Sequence, residues 1–258
     1  MTHEDGMLRL YAFHIGGLRA DMSTYDPFDP KVGTQIYSPN FFYLIQHPRG
    51  NVLFDAGIRS DYLDDADSVN SMEIEFRPEH HTDVQLGSVG LKPEDIDYVV
   101  MSHLHWDHAG GLNFFPHADV LVQRRELEFA FAPAVYQAVY YDKRDFDLPL
   151  KWVELDTEHD LFGDGRVVIY PSPGHTPGHQ MLLVQTEGGA ILLLADAAFE
   201  IEKMRKRVLP SIIWNPDELV RTWDRVEQLE QAHGAELICA HELAYETKLK
   251  VAPESWYE

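Results

Sequence analysis

The sequence predicts a mixed α/β (α+β) fold, and three observations predict it. Short apolar runs rich in β-branched and aromatic residues recur in both halves of the chain, separated by Gly, Pro, Asp and Asn. One long amphipathic pattern of helical period stands near the C-terminal end. No Ser/Pro-rich linker, low-complexity segment or short repeat interrupts the 258 residues, so one domain spanning 1–258 is expected.

In chain order, the apolar runs predict strands over 8–15, 40–46, 52–55, 98–101 and 120–123. Further strands are predicted over 166–170, 180–185, 190–194 and 236–240, punctuated by Gly163-Asp164-Gly165 and Glu187-Gly188-Gly189. The helix runs over 216–233: Asn215 caps it, Pro216 opens it, Leu219, Trp223, Val226 and Leu229 recur at helical spacing, and Gly234 stops it. Two more helices are predicted near 124–131 and 83–89. Residues 19–34 and 133–147 fit neither period. The second stretch carries Tyr136, Tyr140, Tyr141 and Phe146, and both are candidates to rim a pocket.

Composition narrows the function. With 43 acidic against 21 basic residues the formal net charge is -22, which argues against nucleic acid and anionic membrane as partners. No apolar run is long enough to span a bilayer, and the start Met1-Thr2-His3-Glu4-Asp5 lacks a basic-then-apolar signal pattern, so a cytoplasmic location is expected. The single Cys239 lies among Leu237, Ile238 and Ala240 and reads as a buried, unreactive strand residue.

The chemistry concentrates in His103-Leu104-His105-Trp106-Asp107-His108, which follows the strand over 98–101 and precedes Ala109-Gly110-Gly111. His103 and His105, two apart on extended backbone, project to one side and can grip one ion, while Asp107 and His108 beyond the strand end can reach a second. The glycine pair is read as allowing a tight turn. Three further loops supply ligand types after predicted strands: His175 in Ser172-Pro173-Gly174-His175-Thr176-Pro177-Gly178-His179, Asp196 after Ile191 to Ala195, and His241 after Ala240. A carboxylate ending so apolar a strand is costly unless it meets a cation. His80, His81, His117 and His233 are read as surface or packing residues.

Taken together, His103-x-His105-x-Asp107-His108, the Gly174-His175-Thr176-Pro177-Gly178-His179 loop, Asp196 and His241 resemble the signature of the metallo-β-lactamase superfamily. Within it the similarity is to the N-acyl homoserine lactonases that quench quorum sensing. It extends through Val122-Gln123-Arg124, Asp196-Ala197-Ala198 and the early segment from Tyr43 to Gly57. The resemblance implies an αββα sandwich with a dinuclear metal site at one edge. Two divalent ions are implied, zinc before iron, cobalt or manganese. It places His103, His105 and His175 on one ion, Asp107, His108 and His241 on the other, and Asp196 between them. A metal-bridging hydroxide would then attack the lactone carbonyl, Asp107 would pass a proton to the leaving alkoxide, and Asp55 would orient a ligand histidine from behind. His179 is expected to sit behind the ligands as well.

One departure bears on substrate. Those lactonases typically carry a tyrosine three residues after the bridging aspartate, its hydroxyl on the lactone carbonyl, and this chain has Phe199 there. Phe199 still offers an apolar wall to an acyl chain. The implied activity is therefore a metal-dependent hydrolase of N-acyl homoserine lactones, with a related hydrolase of another lactone, carboxylic ester, thioester or phosphotriester as the alternative. The partner is a small lactone or ester molecule, and a homodimer is compatible with the sequence.

Overall fold

The computed structural model describes residues 6–63, 72–242 and 249–258. Seven strands form one sheet: β1 (Arg9–Asp21), β2 (Gln35–His47), β3 (Gly50–Phe54), β4 (Glu73–Glu75), β5 (Tyr98–Val100), β6 (Asp119–Gln123) and β7 (Lys151–Leu155), in the order β4-β1-β2-β3-β5-β6-β7. Five form a second: β8 (His159–Asp160), β9 (Val167–Pro171), β10 (Gln180–Thr186), β11 (Gly189–Ala195) and β12 (Glu236–Cys239), in the order β12-β11-β10-β9-β8. The helices are α1 (Thr82–Ser88), α2 (Trp106–Ala109), α3 (Arg124–Phe131), α4 (Lys143–Phe146), α5 (Ile201–Arg205) and α6 (Pro216–His233).

The strand period of two sorts side chains between two cores. Leu10, Ala12, Phe41, Tyr43 and Ile45 face the second sheet, where they share a core with Ile169, Met181, Leu183 and Leu193. Their neighbours Tyr11, Phe13, Ile15, Phe42 and Leu44 face the other way, against Leu86 of α1, Ala130 of α3 and Phe146 of α4. Leu219, Trp223, Val226 and Leu229 of α6 close the far side of the second sheet. Helix, sheet, sheet, helix is the αββα layering the resemblance implied. Because the long strands are covered on both faces, they read in sequence as near-continuous apolar runs.

Helix α6 has the predicted bounds: Asn215 accepts from the backbone N–H of Asp217 (3.0 Å) and Glu218 (3.1 Å), and Gly234 leaves at φ 61°. The stretch 19–34 departs from its reading as a loop. Strand β1 continues to Asp21 and β2 begins at Gln35, with an irregularity between His14 and Gly17 that bends the pair. Strands β4, β7 and β8 were not predicted; β4 and β8 hold three and two residues, too few for a periodic signal. Cys239 is buried in β12, as expected.

Candidate metal centre

Each sequence-predicted ligand lies in a segment that leaves a strand end. Residues 103–108 follow β5, with Trp106 to Ala109 wound into the short helix α2, so Asp107 and His108 are held on helical backbone. His175 lies between β9 and β10, Asp196 follows β11, and His241 follows β12. At Asp55 (φ 65°) and Ala195 (φ 44°) the backbone enters the left-handed region. Non-glycine residues pay strain there, and such strain collects where side chains must be aimed.

Gly110 and Gly111 stand in the turn expected of them, and close packing requires glycine there as well. Both have negative φ, but a Cβ on Gly111 would lie 2.0 Å from the Ala56 carbonyl oxygen. Backbone contact draws the motif onto the loop after β3, where Ala56 N–H donates to the His108 carbonyl (2.9 Å). That close approach brings Asp55 behind the ligand set.

The seven candidate ligands are all buried, and their donor atoms converge in three overlapping groups: His103, His105 and His175; His103, His108 and Asp196; and Asp107, His108 and His241. Atoms within each group lie within 4.8 Å of one another. Asp196 divides its oxygens: Oδ1 is 3.3 Å from Nε2 of both His108 and His241, and Oδ2 is 3.4 Å from Nε2 of His175. Asp107 Oδ2 stands 3.7 Å from His108 Nε2, 3.8 Å from His241 Nε2, and accepts from Asn40 Nδ2 at 3.2 Å.

The imidazoles are held from behind. Nδ1 of His103 meets the Ser102 hydroxyl (2.9 Å), Nδ1 of His108 meets Asp55 Oδ2 (2.8 Å), Nδ1 of His175 meets the Ile212 carbonyl (2.9 Å), and Nδ1 of His241 meets the Pro39 carbonyl (3.2 Å). A ring that donates through Nδ1 presents a lone pair at Nε2. Asp55 also accepts from the Ser102 N–H (2.8 Å) and hydroxyl (2.9 Å), so three donors fix its carboxylate. His179, also fully buried, bonds Ser172 through Nδ1 (2.8 Å), with its ring 5.2 Å from that of His103.

These donors fit divalent cations. Nε2 of His103 and His108 and Oδ1 of Asp196 are buried without a hydrogen-bond partner, a costly arrangement unless a cation occupies the space they face. Burial and the neighbouring rings hold His103 and His105 well below the usual histidine pKa, so both rings are neutral. Burial also opposes charge on His108, but Asp107, Asp196 and Asp55 outweigh it and raise its pKa. The Asp196 carboxyl, despite burial, is held far below its usual range by His241 and His108. The neutral imidazoles of His103 and His105 beside the ionised Asp196 carboxylate are donors suited to a divalent cation.

A narrow cavity opens on this cluster; Leu18, Met72, Phe199 and Ile212 give it apolar walls. Phe199 packs edge-on against His175 (5.6 Å) and 5.5 Å from His241, both between ring centroids.

The profile of the metallo-beta-lactamase superfamily matches residues 38–241. This chain belongs to that superfamily. As a superfamily member it is similar over nearly its full length to curated lactonases. It is 32% identical to the N-acyl homoserine lactonase AttM of Azorhizobium caulinodans, over 95% of this chain and 97% of that protein. With the N-acyl homoserine lactonase AiiA of Bacillus thuringiensis it shares 28% identity, over 86% and 88%. Among solved structures, an N-acyl homoserine lactone hydrolase with the product N-hexanoyl-L-homoserine at its catalytic metal centre superposes with a TM-score of 0.88. That match covers 96% of this chain and 99% of the other at 25% identity. The expected metal-dependent hydrolase of ester bonds agrees with these relatives.

Glu126 and Tyr25 escaped the sequence reading, whereas Tyr140 was named in a stretch expected to rim a pocket. Glu126, fully buried on α3, accepts from Leu104 N–H (3.1 Å) and the Tyr141 hydroxyl (2.9 Å) through Oε1, and from the Thr176 hydroxyl (2.6 Å) and Gly178 N–H (3.1 Å) through Oε2. It thereby clamps the 103–108 segment to the 172–179 loop. Tyr25 and Tyr140 line the cavity. The only signal for the tyrosines was their place in the two aperiodic stretches; Glu126 gave no signal within its amphipathic helix. Among the described residues, none of His80, His81, His117 and His233 joins a ligand group. No helix among the described residues is long and apolar enough to cross a membrane.

Proposed function

We propose that this superfamily member opens the lactone ring of N-acyl homoserine lactones by hydrolysis. The observation that carries the reading is the set of three overlapping donor groups beneath an apolar-walled cavity, with Asp196 facing His108 through Oδ1 and His175 through Oδ2. The likeness to lactonases along the whole chain supports it. His103, His105 and His175 would hold one divalent ion and Asp107, His108 and His241 the other, with Asp196 shared. Bound there, the ions, zinc before iron, cobalt or manganese, would supply a water of lowered pKa and a Lewis acid for the ester carbonyl.

The chain's own groups do the rest. Asp55, fixed by Ser102, orients His108 through the 2.8 Å bond to Nδ1. Asp107, steadied by Asn40, carries a proton to the alkoxide released when the ring opens. Phe199, Leu18, Met72 and Ile212 exclude water and receive the acyl chain. A second reading, another lactone, carboxylic ester, thioester or phosphotriester as the preferred substrate, is favoured by the hydrocarbon edge of Phe199.

The test is ring opening followed by proton release on a panel of N-acyl homoserine lactones, with an aryl ester and a phosphotriester in parallel. Metal-loaded protein should open the lactones, and both chelated protein and His105→Ala should not. Slow lactone opening beside fast hydrolysis of either other substrate would establish the second reading.

A further inference from the structure

With the buried imidazoles and carboxylates of the cavity assigned to cations, the hydroxyl groups left on its wall belong to Thr24, Tyr25 and Tyr140. Ester hydrolysis places negative charge on the carbonyl oxygen, and a neutral donor fixed beforehand stabilises that charge without reorganising. We infer that the Tyr25 hydroxyl is the neutral hydrogen-bond donor to the scissile carbonyl oxygen, an inference that rests on the hydrolase reading above.

Position singles out Tyr25. Its ring stands edge-on to that of Phe199, centroids 5.6 Å apart, so the phenol flanks the apolar wall beside His241. On the His241 side, the fully buried Ser38 of β2 donates through Oγ to the His241 carbonyl at 3.3 Å. Tyr140 lies on the opposite flank, its ring 5.2 Å from that of His105. The two phenols therefore approach from different sides, and Tyr25 is the more buried.

The backbone holds Tyr25 still. It closes the turn that ends β1: Asp21 accepts from Ser23 N–H (2.9 Å), Tyr25 N–H donates to the Met22 carbonyl (3.0 Å), and Ser211 N–H donates to the Thr24 carbonyl (3.0 Å). The Tyr25 hydroxyl rotates about its C–O bond, so its proton can turn into the cavity that the side chain lines. A phenol keeps its proton at neutral pH, so Tyr25 is able to donate. In the reaction the water oxygen bonds to the carbonyl carbon, the ring C–O bond breaks, and a proton from that water ends on the departing alkoxide. Tyr25 donates a hydrogen bond throughout and transfers nothing.

The test compares wild type, Tyr25→Phe, Tyr140→Phe and the double variant Tyr25→Phe/Phe199→Tyr. Each is metal-loaded and assayed for kcat and KM on N-hexanoyl homoserine lactone, with bound metal and Tm measured on the same samples. Tyr25→Phe should lower kcat by about 100-fold, the loss seen on removing one oxyanion donor, with KM, metal content and Tm near wild type. Adding Phe199→Tyr should restore part of kcat, because it returns a hydroxyl to the adjoining ring. Wild-type kcat in Tyr25→Phe, a loss matched by lost metal, or a kcat drop confined to Tyr140→Phe would overturn the inference while leaving the hydrolase reading intact. Absence of ring opening by the metal-loaded wild type would overturn that reading, and the inference with it.

Discussion

Replacing Glu126 by Gln tests how the two ligand loops are held together. The carboxylate takes one backbone N–H and one hydroxyl on each oxygen: Leu104 and Tyr141 on Oε1, Gly178 and Thr176 on Oε2. The amide has one accepting oxygen and one NH2 group. Whichever way it is placed, the hydroxyl facing the NH2 can rotate to accept, but the N–H facing it cannot. One buried backbone donor is thus left unpaired, at about 1 to 3 kcal/mol, and the surviving bonds lose charge assistance. Relief of the buried charge, whose cost shows in the burial-raised pKa of Glu126, offsets part of this. A net loss of about 2 to 4 kcal/mol corresponds to a Tm lower by roughly 4 to 16 °C at this chain length. Calorimetry on chelated protein reads the structural term alone, and metal titration of the same variant should show affinity reduced about 10- to 100-fold, because Leu104 stands between His103 and His105. A Tm within 1 °C of wild type, with unchanged metal affinity, would refute the clamp.

Metal removal should destabilise the fold, since the buried imidazole nitrogens and Asp196 Oδ1 then face one another without a partner. At a thousand times Kd a bound ion contributes about 4 kcal/mol, so chelation should lower Tm by roughly 8 to 16 °C, reversibly on adding zinc; no shift would count against the ligand set. Acid should destabilise the protein at His47 as well, far from that cluster. Burial lowers the His47 pKa below its unfolded value of 6.5 despite the Asp164 partner, so the folded state binds fewer protons there. Its contribution is complete above pH 6.5 and is lost as pH falls through the folded value. His47→Gln should therefore flatten the fall of Tm below pH 6.5, and an unchanged slope would remove His47 from the account.

The sequence by itself determined what depends on short spacing and local period. Helix α6 could be read with both ends because cap, apolar stripe and stop are all local. The alternation of His103, His105, Asp107 and His108 revealed a ligand cluster because neighbouring backbone alone aims those side chains together. Other features depended on contacts between distant segments. Strands β4 and β8 exist because a neighbouring strand takes up their hydrogen bonds, and three or two residues carry no period of their own. The turn at Gly110-Gly111 was legible, but the close packing at Gly111 was not, since the carbonyl that excludes a Cβ belongs to Ala56 on another loop. Glu126 and Tyr25 were not legible either: each acquires its meaning from partners dozens of residues away, and only the packed tertiary structure sets those distances.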